Sequence, residues 1–154
     1  LDENKEPILA DFEHAKYIVN PLDMTFNVGT PFYMAPELFT CEYETYSFSV
    51  DVYAFAIFLY NMFSKSFHFA DRRNIGSCFQ VMSRISKGER PIKTDDIPDC
   101  YWELIQMCWK QDPNERPTFD EITVILRSDK FGIKEFGMKT DMDQLHEYQT
   151  RIDG

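Results

Sequence analysis

The residues whose types could do chemistry sit in two short runs, Asp11-Phe12-Glu13 and Ala35-Pro36-Glu37. Asp11 follows Ile8-Leu9-Ala10, an apolar stretch that reads as a short strand. Taken alone, such an aspartate also reads as a loop residue capping a turn. The second run closes a longer one, Val28-Gly29-Thr30-Pro31-Phe32-Tyr33-Met34-Ala35-Pro36-Glu37. Other chemistries find no support. His14, His68 and His146 are isolated, and no Ser/His/Asp or Cys/His arrangement suggests nucleophilic catalysis. Cys41, Cys78, Cys100 and Cys108 form no Cys-x-x-Cys and have no zinc spacing, so they read as buried thiols in a reducing compartment.

Two further runs follow, Ser47-Phe48-Ser49-Val50-Asp51-Val52-Tyr53-Ala54-Phe55 and Leu104 to Phe119, the latter with Cys108-Trp109 ahead of Asp112-Pro113 and then Arg116-Pro117-Thr118-Phe119. In this order the four runs resemble the back half of a protein kinase domain, from the activation segment onward. Cys-Trp before Asp-Pro and Arg-Pro-Thr-Phe is similar to the tyrosine-kinase and tyrosine-kinase-like groups, whereas Gly29-Thr30-Pro31 resembles serine/threonine specificity. The combination points to a tyrosine-kinase-like serine/threonine kinase. The likeness covers about Leu1 to Arg127.

The resemblance implies roles. Asp11 takes the carboxylate position that holds the magnesium bridging the phosphates of ATP, with Phe12 packed behind it as a plug. Gly29, Thr30, Pro31, Ala35 and Pro36 belong to the pocket beside the phosphate acceptor, and Thr30 occupies the place of a threonine that bonds the catalytic aspartate. Glu37 and Arg116 take the positions of a buried ion pair. Asp51 takes that of the aspartate anchoring the catalytic-loop backbone. Thr25, Thr30 and Tyr17 lie where activation segments are phosphorylated, Thr25 foremost. Glu13 departs from the pattern, since the family usually has glycine there. It lacks glycine's freedom at positive φ and sets a negative charge beside a triphosphate site.

The sequence contains no Gly-x-Gly-x-x-Gly, no Val-Ala-x-Lys strand and no His-Arg-Asp run followed by Asn. Leu1 in place of Met fits a fragment or a processed chain. Two readings of function stand. One is part of a kinase domain associated with ATP-dependent phosphorylation of protein serine or threonine; this chain has no catalytic residue of its own and is expected to be inactive alone. The other is a truncated or degenerate pseudokinase that binds proteins. ATP and Mg2+ belong to the intact parent domain, and the fragment alone is expected to bind neither. The implied partners are a protein substrate or a scaffold, in the cytoplasm.

These residues need elements to position them. A mainly α fold is expected, a helical kinase C-lobe fragment with one or two short N-terminal β-strands. Residues 1–128 form the partial kinase domain, with the activation segment at 11–37 and the helical subdomain at 47–128. From Phe12 to Phe39, Gly29, Pro21, Pro31 and Pro36 break any helical period. Ser49 or Ser47 caps the next helix, with Asp51 in its first turn. Val52 to Tyr60 is apolar all round and predicts a helix buried on every side. Phe67 to Ile75 reads as a loop. Cys78, Phe79, Met82 and Ile85 mark a second helix, stopped by Gly88 and Pro91. Tyr101, Leu104, Ile105 and Cys108 mark a third. Asp112-Pro113-Asn114 is a turn, and Thr118 with Glu121 is a capping box opening a fourth, with Phe119, Ile122, Ile125 and Leu126 on one face. Residues 129–154 read as a linker and a C-terminal amphipathic helix carrying Met142, Leu145, Tyr148 or Gln149, and Ile152.

Composition bounds the rest. One domain of 154 residues with 44% hydrophobic and 16% aromatic residues has ample core material. A net charge of −10 repels phosphate backbones and anionic bilayers, so neither nucleic acid nor membrane is an expected partner.

Overall fold

The computed structural model describes residues 8–10, 12–15, 32–40, 47–65, 78–128 and 131. Among them five α-helices follow one another: α1 (Glu37–Thr40), α2 (Ser49–Ser64), α3 (Cys78–Ser86), α4 (Asp99–Cys108) and α5 (Phe119–Leu126). Single 3-10 turns occur at Phe12–His14 and Pro113–Glu115. The fold is mainly α. Ile8–Ala10 forms no strand, and Ile8 and Leu9 are exposed. A strand satisfies its N–H and C=O groups through a ladder partner, and none of the described residues supplies one. The Phe67–Ile75 loop, the linker and the terminal helix fall outside the described residues, apart from Phe131.

The core is built around α2. Its Val52, Tyr53, Ala56, Ile57, Leu59 and Tyr60 are buried. They pack with Val81 and Ile85 of α3, with Ile97 ahead of α4, with Leu104, Ile105 and Cys108 of α4, with Trp109, and with Ile122 of α5. The most extensive packing is between α2 and α4. The helix is not buried on every side, however. Phe58 and Met62, one turn apart, are 53% and 50% exposed. Apolar composition cannot say on which sides a helix has neighbours, and no described element covers that stripe. Nor does a serine cap α2 in the expected way. Phe48 occupies the N-cap with no side-chain bond, Ser49 is already helical, and the Ser47 hydroxyl oxygen accepts from the Ser49 N–H at 3.3 Å.

On α3 the buried stripe is Val81 and Ile85, while Phe79 is 78% exposed. Both positions satisfy a helical period, and contact with α1 and the core selects Val81 and Ile85. The helix ends in a Schellman motif. The Glu89 N–H donates to the Arg84 carbonyl at 3.0 Å and the Gly88 N–H to the Ile85 carbonyl at 2.9 Å, with Gly88 at φ +83°. Aromatic rings fill the α2–α4 seam: Tyr60 lies 6.0 Å from Trp109, and Phe63 lies 4.6 Å from Tyr101. Thr118 and Glu121 form the full capping box, and Phe119, though partly exposed, meets Phe55 edge-on at 5.8 Å. No helix among the described residues is long and apolar enough to cross a membrane.

Candidate functional site

A four-residue helix cannot stand on its own hydrogen bonds, so α1 depends on what fastens it. Met34, Ala35 and Pro36 lead into it and are buried. Glu37, its first residue, meets Arg116 across 79 positions of chain. The contact is bidentate: Arg116 Nη1 donates to Glu37 Oε1 at 2.6 Å and Nη2 to Oε2 at 2.8 Å. The Arg116 and Glu37 side chains are only 0% and 2% exposed. Buried charges are tolerated when paired and fully hydrogen-bonded. Arg116 meets that condition, because it also donates from Nε to the Lys110 carbonyl (2.9 Å), from Nη1 to the Ser49 carbonyl (2.9 Å) and from Nη2 to the Gln111 carbonyl (3.4 Å).

A second tie lies nearby. Asn61 Nδ2 in α2 donates to the Tyr33 hydroxyl at 3.2 Å. The segment Phe32–Glu37 is therefore joined to the central helix and to the loop before α5 by polar contacts at both ends. Sequence reasoning singled out neither Tyr33 nor Asn61, since a tyrosine and a helical asparagine carry no spacing signal.

Tyr53 packs beneath the ion pair. Its ring is fully buried, and the guanidinium carbons of Arg116 and Arg90 each lie 5.1 Å from its centroid. Burial pushes the Tyr53 phenol up, with Arg90 and Arg116 pulling it down and Glu37 pushing it up again. Among the described residues its hydroxyl has no hydrogen-bond partner. Arg90, too, went unnoticed in the sequence, where it is one arginine in a turn.

Asp51 faces a groove of about 480 Å³ between the starts of α2 and α5, lined also by Phe48, Asn114, Phe119 and Asp120. Among the described residues no hydrogen bond reaches its carboxylate, and desolvation pushes its pKa up.

The remaining candidate residues separate. Glu13 is exposed in the 3-10 turn. Phe12 is 62% exposed. Asp11, Tyr17, Thr25, Gly29, Thr30 and Pro31 lie outside the described residues. The described residues contain no group of three or more His, Cys, Asp or Glu able to hold a metal ion. They offer a braced loop end and an open groove, and no assembled transfer chemistry.

Comparison with known proteins agrees with this arrangement. The sequence profile of the protein kinase domain matches residues 1–125. The chain is similar to the RGS domain-containing serine/threonine-protein kinase A of Dictyostelium discoideum, 36% identical over 120 residues, covering 78% of this chain and 10% of that protein. A probable LIM domain-containing serine/threonine-protein kinase of the same organism is 37% identical over 117 residues, 76% of this chain and 17% of the relative. The dual serine/threonine and tyrosine protein kinase of Pimephales promelas is 36% identical over 102 residues, 66% of this chain and 11% of the relative. The chain thus spans a small part of the length of each.

Proposed function

The chain belongs to the protein kinase domain family, and from that premise we propose that it forms the substrate-side, helical part of a serine/threonine kinase domain of the tyrosine-kinase-like group. On this reading residues 11–37 are the activation segment, residues 47–128 the helical subdomain, and the protein whose chain this is transfers phosphate from ATP to protein serine or threonine in the cytoplasm. The bidentate, buried Glu37–Arg116 pair carries the reading: it fixes the turn that leads into α1 to the helical body, which is what a protein-substrate platform requires. ATP with magnesium is the co-substrate the family implies. The described residues do not by themselves fit a metal ion. Asp11 is the residue we would place on it, with Thr25 and Thr30 as phosphorylation sites and Asp51 as the anchor of the catalytic-loop backbone.

A second reading rests on Glu13. Its carboxylate stands where the family usually has glycine, and repulsion of a triphosphate there would leave a domain that binds proteins without phosphorylating them. One experiment separates the two. The protein is expressed at the length its transcript encodes and assayed for transfer of labelled γ-phosphate to a generic serine/threonine substrate, beside Asp11→Asn. Transfer that Asp11→Asn abolishes supports the enzyme. Absence of transfer, with MgATP binding also absent, overturns it in favour of the binding module.

A further inference from the structure

We propose that Arg90 is a positioning residue for the turn Ala35-Pro36-Glu37: it braces Arg116 through the Tyr53 ring and through the Trp109–Gln111 loop that both arginines hold. The proposal depends on the preceding section only in naming that turn as the end of the activation segment.

The geometry is specific. Arg90 donates from Nε to the Trp109 carbonyl at 2.9 Å, and from Nη2 to Gln111 Oε1 at 2.8 Å. Arg116 takes the next two carbonyls, Lys110 and Gln111. Two guanidinium groups thus grip three consecutive residues of one loop from either side. Gln111 closes the arrangement, since its Nε2 donates to the Ser86 carbonyl at the end of α3 at 3.1 Å. Nη1 of Arg90 reaches α3 as well, donating to the Ile85 and Glu89 carbonyls at 3.2 and 2.9 Å.

The charges show why this is more than a helix cap. Arg90 is half-buried, yet no described carboxylate pairs with it. What holds its charge is carbonyl and amide oxygen, the π-face of Tyr53 and the field of Glu37. Desolvation and Arg116 lower its pKa, while Tyr53 and Glu37 raise it. A surface arginine capping α3 would need none of these contacts. Arg90 and Arg116 share one ring and lie in each other's field and in that of Glu37. The Schellman turn at Gly88 sets where Arg90 leaves α3, and Glu89 beside it pairs with Arg84 on the surface.

Hydrogen exchange tests this on the full chain. The Leu38 and Phe39 amides donate to the Ala35 and Pro36 carbonyls, both at 3.1 Å, and report on the turn directly. Amides of α4 serve as the reference for global opening. Arg90→Met keeps an apolar stem over Tyr53 and removes charge and donors. It is expected to speed exchange at Leu38 and Phe39 at least tenfold relative to α4. Gly88→Ala strains the α3 terminus and leaves the Arg90 donors in place, and is expected to speed only the last turn of α3. Rates at Leu38 and Phe39 within twofold of the parent in Arg90→Met overturn the proposal, as does an equal response to Gly88→Ala. If Arg90→Met fails to fold, Arg90→Lys decides. It retains a cation but cannot span both Trp109 and Gln111, so severalfold faster exchange supports the proposal and unchanged exchange refutes it. No phosphate moves in this measurement, so it can fail while the kinase reading stands, and the reverse.

Discussion

Removing either partner of the Glu37–Arg116 pair should destabilise the chain, but not equally. Breaking a buried pair by truncating one side costs roughly 3–5 kcal/mol, because the other charge is left stranded. Glu37→Ala strands a guanidinium that still has the Lys110, Ser49 and Gln111 carbonyls as acceptors. Its loss should fall near the lower limit, about 3 kcal/mol. Arg116→Ala strands a carboxylate for which the described residues offer no other donor, and it also takes the donor from three backbone carbonyls. Net hydrogen bonds are worth about 1 kcal/mol each, so this loss should reach about 5 kcal/mol or more. Against a total stability of about 5–15 kcal/mol that is a third of the whole or all of it. For a domain of this size each kcal/mol shifts the melting point by about 2–4 °C. Urea unfolding followed by tryptophan fluorescence suits the measurement, since buried Trp109 stacks edge-on with Trp102 at 5.5 Å, close to the loop that Arg116 holds. Arg116→Ala within about 1 kcal/mol of the parent, a loss too small for a stranded buried charge, would refute the reasoning. So would Glu37→Ala proving the more damaging variant.

Three further outcomes are expected. Hydrogen bonds from the Thr118 N–H and hydroxyl hold the Glu121 carboxyl below the ordinary glutamate range. Its folded pKa lies under its unfolded one, so its contribution is complete above that range and fades as pH falls through the depressed value. Thr118→Val should flatten this part of the acid limb of a stability–pH curve, and an unchanged limb would contradict the capping-box account. Burial pushes the Cys108 thiol up to about 12, so peptide mapping after alkylation at pH 8 should find Cys108 unlabelled in the native chain and labelled in urea; native labelling would contradict its burial. Phe58 and Met62 form an uncovered apolar stripe, so sedimentation should show concentration-dependent association that Phe58→Lys with Met62→Lys removes, and a stable parent monomer at all concentrations would count against it.

Much of the fold was legible because local rules and tertiary contacts agree. Leu104, Ile105 and Cys108 recur on one face of α4, and α4 buries that face. Asp112 accepts from the Asn114 N–H at 2.9 Å, as a turn-forming aspartate does. Where neighbours decide, the sequence was silent. An all-apolar α2 does not reveal that the side bearing Phe58 and Met62 has no described element against it. On α3, two overlapping periods compete, and only packing chooses Val81 over Phe79. Ile8–Ala10 has strand-forming residues without a described partner. The site shows the same division. The Glu37–Arg116 contact spans 79 positions and came from a resemblance in residue runs, since no local period links the two positions. Arg90, Tyr53, Tyr33 and Asn61 carry no comparable mark, because a half-buried arginine and a solvated one are spelled alike.

The most direct test of the sealed charge contact is nitrogen-15 NMR of the Arg116 guanidinium in the folded chain. The account predicts Arg116 Nη resonances with restricted rotation and slow proton exchange, collapsing to averaged, fast-exchanging signals in Glu37→Gln. Averaged, fast-exchanging signals already present in the parent chain would contradict it.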